Sequence, residues 1–160
     1  MPPDSRVGEV APRVPEGERI YAIGDIHGRL DLLEDLVARI RRDNADRPAA
    51  QVRIILLGDI VDRGPDTPAL IARCRAFAER TDRFIVLRGN HEAMMVHALR
   101  GNFNALAMWL RHGGEATLAS FGVAADLLAQ GPSPDLLQAA RAQIPANVLA
   151  WLDGLPLTLR

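Results

Sequence analysis

Three short apolar runs, each closing on a glycine and a knot of polar residues, constrain this chain more than any other feature. They are Arg19-Ile-Tyr-Ala-Ile23 running into Gly24-Asp25-Ile26-His27-Gly28, and Val52-Arg-Ile-Ile-Leu-Leu57 running into Gly58-Asp59-Ile60-Val61-Asp62-Arg63-Gly64. The third is Phe84-Ile-Val-Leu87 running into Arg88-Gly89-Asn90-His91-Glu92. The middle run is almost continuously apolar, the pattern of a strand buried on both faces of a parallel sheet. Between the runs, Leu30, Leu33, Val37 and Ile40, then Leu70, Ile71, Cys74 and Phe77, recur at helical spacing. Thr67-Pro68 reads as an N-cap followed by proline at the first helical position. Strand–helix–strand–helix–strand predicts an α/β fold with a parallel sheet, whose site lies at the carboxyl ends of the strands.

The remainder is expected to be helical, over about Glu92–Leu99, Ala105–Leu110, Glu115–Ala119, Pro134–Gln143 and Ala146–Leu152. Gly101, Gly113-Gly114, Gly122 and Gly131-Pro132 punctuate it. Leu155-Pro-Leu-Thr-Leu159 reads as the beginning of another strand. Residues 1–18, with Pro2, Pro3, Pro12 and Pro15 among polar neighbours, read as a flexible tail, leaving 19–160 as one domain. Trp109 and the methionines Met94, Met95 and Met108 are expected in the core, and His97 at the surface or in packing. His112, ahead of Gly113-Gly114, reads as a cation at a helix C-terminus.

Composition excludes several classes. The chain of 160 residues carries 19 basic and 20 acidic groups, a net charge of −1, so no basic field points to nucleic acid. One cysteine excludes a disulfide framework and a cysteine-rich zinc site. No run approaches the ~18 apolar residues of a membrane span, and the first residues lack the apolar core of a signal peptide. The expectation is a cytoplasmic protein of unassigned oligomeric state.

A parallel sheet brings the three polar knots to one edge, so Asp25, His27, Asp59 and Asn90 converge. Carboxylates, an imidazole and an amide oxygen suit divalent ions between hard and borderline, such as manganese, iron or zinc. Taken singly, each has a plainer reading: Asp25 as a helix cap, Asp59 and Asn90 as turn residues, and His27 as a satisfied histidine.

Gly-Asp-x-His-Gly, Gly-Asp-x-x-Asp-Arg-Gly and Gly-Asn-His-Glu, in this order, resemble the motifs of the calcineurin-like metallophosphoesterases. Arg88 and the pair Asp62-Arg63 make the chain most similar to the bacterial and phage serine/threonine protein phosphatases. The resemblance implies a metallophosphatase-type β-sandwich flanked by helices, of which this chain holds the first βαβαβ half plus a helical segment. It implies two divalent ions, manganese foremost, with Asp25 and His27 on the first, Asp59 bridging, and Asn90 on the second. His91 would be the general acid, oriented by Asp62, and Arg63 and Arg88 would bind phosphate oxygens. Glu92 is left open between a catalytic role and complementing the dipole of its helix. The substrate would be a phosphorylated protein or a small phosphoester, with no nucleic-acid or membrane partner.

The family also implies two later histidines, in motifs resembling Val-His-Ala-Gly and Gly-His-Thr, and a further arginine. None of these motifs occurs here, since the last histidine is His112. The chain is therefore expected to be the amino-terminal portion of a longer phosphatase or a defective gene product. Two other readings stand beside the protein phosphatase: a symmetrical dinucleoside tetraphosphate hydrolase, and a truncated, inactive metal-binding domain.

Overall fold

A computed structural model of the protein describes residues 13–159. Most of the expected tail, Pro2, Pro3 and Pro12 included, lies outside the described residues, and Glu18 already belongs to the first strand. The apolar runs form β1 (Glu18–Ile23), β2 (Gln51–Leu56) and β3 (Phe84–Val86). They pair in parallel in the order β1-β2-β3, with α1 (Leu30–Ala45) and α2 (Thr67–Ala78) as the connections. This is the expected βαβαβ half. The register sets Ile23 beside Leu56, and Leu56 beside Val86. All three strands thus end level, and their polar loops leave from one edge.

The helices form because their apolar spacing matches the sheet they cover. α1 buries Leu33, Val37 and Ile40, and α2 buries Leu70, Ile71 and Cys74. The cap of α2 differs from expectation. Asp66 holds the cap position, its N–H donated to the Gly28 carbonyl (2.9 Å), and Thr67 is the first helical residue, fully buried. The loop after β1 therefore sets where α2 begins, overriding the capping preference of threonine.

The second half is helical: α3 (Asn90–Leu99), α4 (Phe103–Trp109), a π-helical turn (Leu110–Gly114), α5 (Glu115–Ser120), α6 (Ala125–Ala129), α7 (Pro134–Gln143) and α8 (Ala146–Asp153). Its core side chains, among them Leu106, Trp109, Leu118, Leu136 and Leu152, continue the core of the sheet layer. Two expectations are corrected. Leu155–Leu159 forms no strand; only the Pro156 carbonyl reaches the sheet edge, accepting from Arg88 N (2.8 Å). Proline has no N–H with which to continue a ladder. Met108 is not core but 48% exposed, whereas Met95 is fully buried. No helix is long and apolar enough to cross a membrane among the described residues.

Burial pushes the Cys74 thiol up to about 12, assisted by the charge of Glu92. The thiolate is the reactive form. A thiol reagent at pH 8 is therefore expected to leave Cys74 unmodified in the native protein and to label one thiol per chain on denaturation. Rapid native labelling would show that α2 does not pack as described.

Candidate metal and phosphate site

The loops at the sheet edge are held to one another directly by main chain. Ile26 N and His27 N donate to the Asp59 carbonyl (3.1 and 3.0 Å), and Gly28 N donates to the Ile60 carbonyl (2.8 Å). The approach is so close that a Cβ at Gly28 would stand 2.7 Å from the Gly64 carbonyl oxygen. At Gly58, with φ of +103°, a Cβ would collide with the backbone of Gly89. Four non-glycine residues here also hold left-handed backbone: His27 (φ 47°), Asp59 (52°), Asp62 (75°) and Arg63 (66°). Such conformations cost about 1–3 kcal/mol each and persist where the surroundings over-determine them. All four carry side chains that the sequence motifs single out.

Glu92 organises the backbone of two loops. Fully buried, its carboxylate accepts from Asp59 N (2.9 Å), Ile60 N (2.8 Å), Val61 N (3.2 Å) and Gly89 N (2.8 Å). Burial pushes this carboxyl up from its ordinary range, and the bonds from Asp59, Gly89, Val61 and Ile60 pull it back down. The bond from Gly89 N also ties the N-cap residue of α3 to the third residue of the helix.

His91, almost fully buried, is oriented by a second cluster. Its Nδ1 lies 2.7 Å from Asp62 Oδ2. The Asp62 carboxylate, completely buried, also accepts from Trp109 Nε1 (2.8 Å) and Thr117 Oγ1 (2.8 Å). Thr117 Oγ1 in turn accepts from Asp62 N (2.9 Å). Burial raises the Asp62 carboxyl above its ordinary range, against these donors, which favour its charged form. Trp109 is core, as expected, but its indole N–H also serves the site. Trp109 and Thr117 bracket the π turn, whose Gly113 carbonyl accepts from Arg63 N (3.1 Å). A fully buried indole N–H requires a partner, and the Asp62 carboxylate supplies it.

The tautomers of the two imidazoles follow from their partners. His27 Nδ1 lies 2.8 Å from the Val61 carbonyl, which only accepts, so the proton sits on Nδ1. His27 Nε2 then presents a lone pair to Arg63 Nη1 at 2.7 Å. His91 Nε2 faces Nη2 of the same guanidinium at 3.3 Å, and the two rings meet edge to face with centroids 4.6 Å apart. One cation thus already sits between two imidazole lone pairs. Ligand atoms of His27, Asp59 and His91 all lie within 4.8 Å of one another. A divalent cation fits the His27 imidazole and the Asp59 carboxylate of this set, with the His91 imidazole beside them.

Of the expected site residues, His27, Asp59, Asp62, Arg63 and His91 are brought together. Asp25, with a side chain 67% exposed, joins them at 3.4 Å from His27 Nε2. Asn90 is the exposed first residue of α3 and opens onto a neighbouring cavity. Arg88 points elsewhere: its Nη1 donates to the carbonyl (3.0 Å) and carboxylate (3.2 Å) of Asp153, while its buried Nε has no partner.

A family model described as calcineurin-like phosphoesterase matches residues 18–152. Serine/threonine-protein phosphatase 1 of Salmonella typhimurium is 32% identical over 96 residues, 60% of this chain and 39% of that protein. A symmetrical bis(5'-nucleosyl)-tetraphosphatase of a Janthinobacterium species is 38% identical over 72 residues, 45% of this chain and 23% of that protein. A crystal structure described as a proposed diadenosine tetraphosphatase superposes with a TM-score of 0.51 at 22% identity, covering 89% of this chain and 46% of that one. The chain spans less than half the length of each of these.

Each buried N–H left without a partner costs about 1–3 kcal/mol. Glu92→Ala orphans the N–H groups of Ile60 and Val61 and loosens those of Asp59 and Gly89, so a loss of about 3 kcal/mol or more is expected in denaturant unfolding. A loss below about 1 kcal/mol would show that the carboxylate does not hold the two loops.

Proposed function

The chain belongs to the calcineurin-like phosphoesterases, and from that premise we propose that its site performs metal-dependent hydrolysis of a phosphate ester. The observation that supports this reading most is the sharing of one guanidinium by His27 and His91, beside Asp59. Asp25, His27, Asp59 and Asn90 would hold two divalent ions, manganese foremost. When bound, such ions supply Lewis-acid activation of water and neutralise charge on the phosphoryl oxygens.

The chain's own side chains account for the remaining needs of the reaction. Water adds to phosphorus, the bond from phosphorus to the leaving oxygen breaks, and that oxygen must take a proton. His91 Nε2 is the donor we assign, with Asp62 on Nδ1 holding the ring and stabilising its charged form. Arg63, exposed at the mouth, offers five N–H donors, more than its two imidazole contacts use. It is suited to the non-bridging phosphoryl oxygens. Trp109 and Thr117 act through Asp62 as positioning residues.

Two substrate classes remain within the reading: phosphoserine or phosphothreonine in a protein, and a dinucleoside tetraphosphate. Arg88 and Glu92 favour the first in sequence. In the fold they bind Asp153 and backbone N–H groups, respectively. The second is favoured by relatives that carry that name.

Purified protein loaded with Mn²⁺ is expected to release p-nitrophenol from p-nitrophenyl phosphate, and a chelator should abolish the release. His91→Ala should lower turnover by about 10²–10⁴-fold, the range for loss of a general acid. Folded protein that binds Mn²⁺ stoichiometrically and turns nothing over would overturn the proposal and leave an inactive metal-binding domain.

A further inference from the structure

The edge of the sheet remote from the candidate site carries a groove that the reaction does not use. Val52 and Phe84 stand at the starts of β2 and β3, the ends opposite the polar loops. With Ile54, Val37 of α1 and Phe77 of α2 they wall an apolar cavity of ≈ 240 Å³. A second cavity of ≈ 330 Å³ shares Val37, Arg41 and Phe77 with the first and continues between the two helices to Leu33. From Leu33 to Arg41 the groove follows about 12 Å of helix, the length of roughly four residues of extended chain. Guanidinium groups edge it: Arg41 and Arg83 at the apolar cavity, and Arg41, Arg73 and Arg80 at the second. All four arginines are exposed. The one carboxylate in the lining, Glu34, is taken by Arg73. The side chains of Arg41, Arg80 and Arg83 make no hydrogen bond or ion pair among the described residues. The Phe77 ring is already engaged, by the Arg73 guanidinium 5.5 Å from its centroid and by the Phe84 ring with centroids 5.1 Å apart.

We infer that this groove docks an extended, acidic segment of a partner protein, which inserts one apolar side chain between Val37, Ile54 and Phe84. Charge complementarity selects the partner. In a chain whose net charge is −1, the groove is a local excess of positive charge with no counter-charge of its own. Planar guanidinium forks bind carboxylates in pairs, and arginine and aromatic side chains around a pocket are the composition of interface hot spots. A cavity of ~150 Å³ already admits benzene, so one of ≈ 240 Å³ receives a leucine or phenylalanine side chain. A segment without carboxylates would cover three guanidinium groups and pair none of them. Nucleic acid would supply the charge, but a base could stack on Phe77 only by displacing Arg73 or Phe84. A segment docked here leaves the loops of Asp59 and Asn90 open. Its binding needs no chemistry at those loops, so it stands or falls apart from the phosphoesterase reading.

The probe is the peptide acetyl-Glu-Glu-Leu-Glu-Glu-amide, titrated into protein with ¹³C-methyl-labelled valine and isoleucine. It is expected to shift the methyl resonances of Val37, Val52 and Ile54 and to leave those of Val61, at the candidate site, in place. Alanine for the peptide's leucine should weaken binding by about 10-fold or more, the share of one buried leucine side chain. Glutamine for its glutamates should weaken binding by a similar factor and remove its dependence on salt. On the protein, Arg41→Glu combined with Arg83→Glu, both at exposed positions, is expected to weaken binding by about 10-fold or more. The methyl spectrum of the free double variant should otherwise match that of the parent. No shift at millimolar peptide, or equal affinity for the glutamine peptide, would overturn the inference. So would an equal response to isocaproate, a small carboxylate with the same apolar body, or a larger shift of the same methyls by an oligothymidylate. Self-association of the protein that the double variant abolishes would also overturn it, by making a second copy the occupant.

Discussion

The buried carboxylate of Glu92 is the interaction on which the rest of the site depends. It gathers N–H groups from Asp59, Ile60 and Val61 on one loop and Gly89 on the next. A charge in this position is tolerable only because four donors surround it. The Asp59 carbonyl then accepts from Ile26 and His27, and the Asp59 carboxylate accepts from His91 N (3.0 Å). One side chain thereby aligns the loops of all three strands, two directly and one through Asp59. The level ends of the strands supply coarse placement, and this network supplies the fine placement that chemistry requires.

A second constraint works through Asp62. Its carboxylate accepts from His91, Trp109 and Thr117, which ties the helical half of the chain to the sheet edge. The turn Leu110–Gly114 lies at this junction. It is kinked at Gly113, whose φ of 105° leaves helical geometry, and Trp109 and Thr117 reach the same carboxylate from opposite sides of it. The helical segment is thus part of the site's frame, and its outer face borders the cavity beside Asn90.

Much of the architecture was legible in the sequence because it rests on period and punctuation. The run Val52–Leu57 announces a buried parallel strand, and Pro134–Gln143 a helix, with only local information. That Asp25, His27, Asp59 and Asn90 leave from one sheet edge is an expectation of the parallel topology alone. What could not be read depends on contacts distant in the chain. Glu92 looks like an ordinary first-turn carboxylate until the fold sets the loop of β2 against it. Trp109 looks like core because burial and hydrogen bonding share one residue. Asp153, which captures Arg88, lies 65 positions away, and no local pattern couples the two. The start of α2 at Thr67 is settled by Gly28 reaching Asp66, again from a different element. Left-handed backbone at His27, Asp59, Asp62 and Arg63 opposes local preference, and it occurs where the fold outweighs that preference.

The close backbone approaches of Gly28 to Gly64 and of Gly58 to Gly89 carry an evolutionary consequence. Loops that touch main chain to main chain cannot be lengthened or decorated one at a time, because each is the mould of its neighbour. New specificity in such a protein therefore has little room to arise at the strand ends. It must be written in the helices around them, on surfaces such as the outer side of α4, where side chains can change without disturbing the moulds.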